Sequence, residues 1–204
     1  MSIAREPRRP VGRPAAATRD EVLAAARRAF VEGRRIEVRA IAAEFGASRA
    51  TMYRWFGSRE GLLAEVILGE MADLFEQADK QARGRGAARV LDALTSVNQR
   101  LIDNPPLRAF VAMEPSALQV LVSCSGLVHP GVVRVAEAYL ERVAAEDGFR
   151  PPIEIATLAY AIVRLSEAFI YDDSPAGMRH DISRLREVHT ALLGIGRPDP
   201  EAEA

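Results

Sequence analysis

Ser48, Arg49, Ala50, Thr51, Tyr53 and Arg54 concentrate polar and small side chains on the outward side of one short segment. A guanidinium at Arg49 matches guanine O6 and N7, and Thr51 offers a hydroxyl and a methyl to a base edge, a thymine methyl or a phosphate. Small residues at the start of such a helix suit entry into a DNA major groove. An amphipathic helical pair with no nucleic-acid role is the other reading of the same residues.

A recognition surface needs support, and the run Val38 to Phe56, VRAIAAEFGASRATMYRWF, has the pattern for it. Val38, Ile41, Ala42 and Phe45 give a first helix one inward stripe, and Ala47, Met52 and Trp55 continue it on a second. Ala42 is small where the helices approach, and Gly46 permits the left-handed backbone that a tight inter-helix turn needs. Upstream, Thr18 and Glu21 form a T-x-x-E capping box that starts a helix ended by Gly33. Downstream, Ser48 and Ser58 stand where helix N-caps belong, the latter before a long helix reaching about Ala82.

The rest of the chain alternates apolar helical periodicity with proline and glycine breaks, and lacks the period-two runs of strands. The expected fold is all-α: a three-helix helix-turn-helix domain followed by a bundle of about six helices, nine in total. The expected divisions are 1–17, a flexible basic arm; 18–57, the DNA-binding unit; and 58–204, a dimerisation and sensing domain. Segment 152–172 is apolar almost all round, which calls for burial on several faces and suits a homodimer.

Charge divides along the same line. Residues 1–59 carry 13 Arg against 6 acidic residues, whereas the remainder is acidic, although the whole chain sums to −1. A basic end on an acidic body points to a double-stranded DNA partner for the first part only. One cysteine, Cys124, rules out an intrachain disulfide framework and is expected to be a buried, inert thiol. No apolar run is long enough to span a membrane, so a cytoplasmic location is expected. His129, His180 and His189 have no metal-pair spacing, and no H-E-x-x-H, P-loop or G-x-S-x-G occurs. These absences argue against an enzyme, a metal site or a cofactor.

The run GASRATMYRWFGSREGLL resembles the recognition-helix signature of the TetR family of transcriptional regulators. The resemblance implies a dimeric regulator, by default a repressor, released from its operator by a small effector. By position it implies groove entry by Ser48, Arg49, Ala50 and Thr51, and phosphate contacts from Tyr53 and Arg59. Trp55 replaces the family's histidine and Arg59 its lysine, while Glu37 stands where a capping Thr is usual. In the arm, Gly12-Arg13-Pro14 resembles elements that lie in AT-rich minor grooves, the other reading being a solvated tail. The stretch AYAIVRLSEAFIYDD is similar to the QsdR-like branch of the family, which implies a lactone- or acyl-type effector, or more broadly a small apolar one.

Effector contacts are expected on the middle helices at Asn98, Phe110, Met113 and Gln119. Tyr160, Arg164, Glu167 and Tyr171 recur on one helix face, and either line the cavity or form an ion pair in the dimer seam. A regulator that dimerises without sensing, or an architectural DNA-binding protein, is the alternative.

Overall fold

The computed structural model describes residues 18–114, 116–171 and 180–196, which form ten helices and, among them, no strand. The helices are α1 (Arg19–Val31), α2 (Val38–Glu44), α3 (Arg49–Phe56), α4 (Arg59–Gln81), α5 (Ala87–Ile102), α6 (Pro105–Met113), α7 (Ala117–Val122), α8 (Val128–Asp147), α9 (Ile155–Tyr171) and α10 (Ile182–Leu192). The total exceeds the expected nine by one. The extra element belongs to the larger part, where the prolines around α6 cut the chain into short helices.

Local chemistry sets most boundaries. Thr18 and Glu21 make the reciprocal capping box of α1. Ser48 accepts from the Thr51 amide and Ser58 from the Gly61 amide, satisfying donors that a helix N-terminus leaves orphaned. Gly46 turns the chain between α2 and α3 at φ 62°. Glu37 precedes α2 but forms no side-chain cap. Pro130 does not start α8, which begins two residues earlier at Val128, because a proline in the first turn forfeits no intrahelical hydrogen bond.

Val22, Ala26 and Phe30 from α1, Ile41 from α2, Met52 and Phe56 from α3 and Leu62 and Val66 from α4 are buried together. Outside this core Arg19 bonds Glu65 at 2.6 Å, and Arg27 bonds Glu70 at 2.8 Å and Asp73 at 2.6 Å. These ion pairs fix α1 along α4 from Glu65 to Asp73.

The far end of α4 is held differently. Asp79, with a side chain only 5% exposed, takes a bidentate bond from Arg89 of α5, both arms at 2.7 Å. Tyr139 and Arg142 of α8 bond the same carboxylate at 3.2 and 3.1 Å. Arg89 also reaches Glu146 at 2.9 Å and Asp147 at 3.3 Å. A buried carboxylate is tolerated when its lone pairs are satisfied in this way, and the Arg89 bonds hold Asp79 below the usual carboxylate range.

His189 is a buried polar group without such compensation. It is 1% exposed against α9, and its Nε2 has no hydrogen-bond partner among the described residues. Burial pushes the ring down from 6.5 to about 4, opposed by the smaller influence of the Ile162 backbone. Between those values the unfolded chain binds a proton that the folded chain refuses. Stability should therefore fall by up to about 3 kcal/mol as pH drops through this window. Denaturant titrations at neutral and acidic pH should show a smaller acid loss for His189→Leu than for the wild type. Equal losses in both proteins would remove His189 as the cause.

Candidate nucleic-acid interface

The outward face of α3 begins at Ser48, whose Oγ also lies 2.9 Å from the Thr51 hydroxyl. Arg49, Ala50, Tyr53 and Arg54 are exposed, and Thr51 is half-buried. The Arg49 guanidinium sits over the Tyr53 ring at 5.3 Å and donates to its hydroxyl at 3.3 Å. Such stacking directs the planar guanidinium outward, and no carboxylate is bound to it among the described residues. Met52 and Phe56 are buried on the opposite side. Trp55 joins that inner side, edge-on to Phe56 at 6.3 Å, so it packs more than it projects.

Arg59 behaves otherwise. It is bonded to Glu114, just beyond α6, which also takes Arg35 at 3.3 Å from the connection between α1 and α2. With a side chain 9% exposed, Glu114 is a nearly buried carboxylate held by Arg35 before α2 and Arg59 at the start of α4. Its partners lie 79 and 55 positions away, so no local pattern marks it. Gly61 was also missed. A Cβ there would lie 1.9 Å from the Phe56 carbonyl oxygen, so the end of α3 sits directly on α4. Its only signal was a glycine inside an otherwise helical first turn. Arg13 lies outside the described residues.

Between α4, α5, α6, α8 and α9 is an apolar cavity of about 70 Å³. Asn98 lines it and is 2% exposed. Glu167 and Tyr171 line it as well. Five other expected contacts, Arg164 among them, fall elsewhere. Phe110 is buried against Phe30, with ring centroids 6.2 Å apart. Met113 is exposed near the end of α6, and Gln119 borders a separate groove with Arg59 and Glu114. Tyr160 is 48% exposed and packs edge-on to His129.

Arg164 faces outward too, yet bonds Glu167 at 2.8 Å and the Val122 carbonyl at 3.1 Å. The Tyr160–Tyr171 stripe thus lines the cavity at its Glu167–Tyr171 end and leaves Tyr160 exposed at the other. Cys124 is exposed between α7 and α8, contrary to the expectation of a buried thiol.

A turn-linked helix pair with a polar, solvent-facing second helix, carried on a larger helical body, defines the helix-turn-helix transcriptional regulators. Residues 22–66 match the model of bacterial regulatory proteins of the tetR family, and residues 85–194 match the tetracyclin repressor-like C-terminal domain. The chain belongs to the TetR family. It is accordingly a DNA-binding transcriptional regulator and not an enzyme, in a family whose members bind operator DNA and act as dimers with small-molecule effectors.

No curated protein matches the chain. Among solved structures, the transcriptional repressor QsdR of R. erythropolis is similar at TM-score 0.77 and 23% identity, over 89% of this chain and 96% of that one. The repressor AlkX of Dietzia sp. strain DQ12-45-1b, implicated in biodegradation of n-alkanes, is similar at TM-score 0.60 and 22% identity, over 89% and 97%. At these identities the likeness concerns the fold. No helix among the described residues is long and apolar enough to cross a membrane.

Proposed function

We propose that the chain is a cytoplasmic repressor in which Ser48, Arg49, Ala50 and Thr51 enter the operator groove and Tyr53 and Arg54 meet the flanking phosphates. Residues 18–57 act as the reading unit, the arm 1–17 with Arg13 as an accessory contact, and 58–204 as the dimerising and sensing domain. The carrying observation is the exposed, carboxylate-free face of α3, built on a capped helix start. Two copies paired through the outward side of α9 would set two such helices on successive grooves. Ala156, Tyr160 and Ala168 remain exposed there in a single chain, and the alanines permit close approach.

Operator titrations test the reading face. Arg49→Ala should weaken specific binding about tenfold and flatten base preference, whereas Tyr53→Ala should weaken specific and random DNA alike. Equal losses on both DNAs for Arg49→Ala would sink the base-reading role.

The effector is a small apolar or acyl/lactone-type molecule in the cavity between α4 and α9. The cavity favours this over a ligand-independent regulator. Leu107 of α6 lines it, and Glu114 closes the same helix, so an occupant that shifts α6 also shifts the carboxylate holding Arg35 and Arg59. Glu114 and a DNA phosphate then compete for Arg59. Glu114→Gln should raise operator affinity by about threefold to tenfold and steepen its salt dependence. Unchanged affinity and salt slope would dismiss that competition.

A further inference from the structure

Of the 21 described residues around the cavity, none is Lys, Arg or His, and two are carboxylates, Glu70 and Glu167. Glu70 is bonded to Arg27 at 2.8 Å on the α1 side. Glu167 is 12% exposed and bonded to His129 at 2.7 Å and to Arg164 at 2.8 Å. Neither partner of Glu167 is among the described lining residues, so an occupant meets the carboxylate and not the cation. A carboxylate has about four lone-pair sites, and these two bonds leave acceptor capacity on Glu167.

The Asn98 amide supplies the second feature. It lines the same cavity, is 2% exposed, and has no side-chain hydrogen-bond partner among the described residues. A buried amide normally bonds something, and here the open direction is the cavity. Ser166 adds a hydroxyl from α9, one residue before Glu167. Most of the remaining wall is aliphatic or aromatic.

We propose that this cavity takes an uncharged, hydrocarbon-rich ligand whose head donates a hydrogen bond, an acyl amide or alcohol, and rejects the corresponding carboxylate. The donor is received by Glu167, and Asn98 completes the head's hydrogen bonding. An anionic head would be desolvated against Glu167 with no cation among the described lining residues to compensate it. A cationic head gains little, because both carboxylates are already neutralised by their arginines. This rests on the effector-sensing proposal above and narrows its chemistry.

Calorimetric titration of the full chain at neutral pH with octanamide, octanoate and octylammonium tests it. Octanamide should bind at least about tenfold more tightly than either ion. Glu167→Gln removes the facing charge at constant shape, and should narrow the octanamide–octanoate gap to within about threefold by a gain on octanoate. Asn98→Leu keeps the volume and should weaken octanamide about tenfold. Circular dichroism and thermal unfolding verify that the variants fold. If octanoate or octylammonium binds the wild type as tightly as octanamide, or if neither variant changes the ratios, the head-group proposal is overturned while sensing stands. If no probe binds and saturating probe leaves the unfolding temperature unmoved, sensing and this proposal fall together.

Discussion

Gly61→Ala should cost at least about a hundredfold in operator affinity, from the smallest side-chain change available. The added Cβ would sit 1.9 Å from the carbonyl oxygen and 3.1 Å from the carbonyl carbon of Phe56, the last residue of α3. Neither obstacle is a movable side-chain tip, so the backbone itself has to shift. The Gly61 amide is also the donor for the Ser58 cap, which ties the displacement to the start of α4. A densely packed junction stores such a clash as strain of about 1–3 kcal/mol or relieves it by moving α3, and a recognition helix misplaced by about an ångström loses its base contacts. Fluorescence anisotropy on operator DNA measures the loss, and thermal unfolding records the strain. Wild-type values in both experiments would refute the junction's role.

Arg89→Met should destabilise the chain by about 4 kcal/mol without touching the DNA face. The methionine preserves the buried stem but leaves the Asp79 carboxylate with only Tyr139 and Arg142, the latter 43% exposed. Removing one partner of a buried pair is costly because the other charge stays behind. Asp79→Asn in the same chain should therefore recover at least about half of the loss. Urea unfolding of the three variants checks both numbers. A loss below about 1 kcal/mol for Arg89→Met would mean that the network is ornamental.

Local rules made the DNA-reading part legible. Thr18 with Glu21, Ser48 and Ser58 are caps within three residues of what they cap, and Gly46 marks its turn by type alone. The all-helical fold followed from periodicity in the same way. Contacts between distant segments were not legible. Glu114 gathers Arg35 and Arg59, and Asp79 gathers Arg89, Tyr139 and Arg142, through pairings that leave no spacing signature. The Tyr160–Tyr171 stripe is instructive. Its four residues do share a face, yet its first end meets His129 and open surface while its second end meets the cavity. Periodicity orients a helix but does not name the neighbours along it. For the same reason Phe110 and Met113, three residues apart on α6, have opposite exposure.

The clamp on Asp79 turns α4 into a lever with a fulcrum. The helix has 23 residues, an arm of about 34 Å, with the carboxylate clamp near one end and the ion-paired reading helices at the other. A rotation of about 6° at the clamp carries the Ser58 end through about 3.5 Å. In a two-fold dimer the opposed displacements add to about 7 Å, a fifth of the roughly 34 Å between successive major grooves. A cavity beside the middle of such an arm needs to move its wall by only one or two ångströms to take both reading heads out of register.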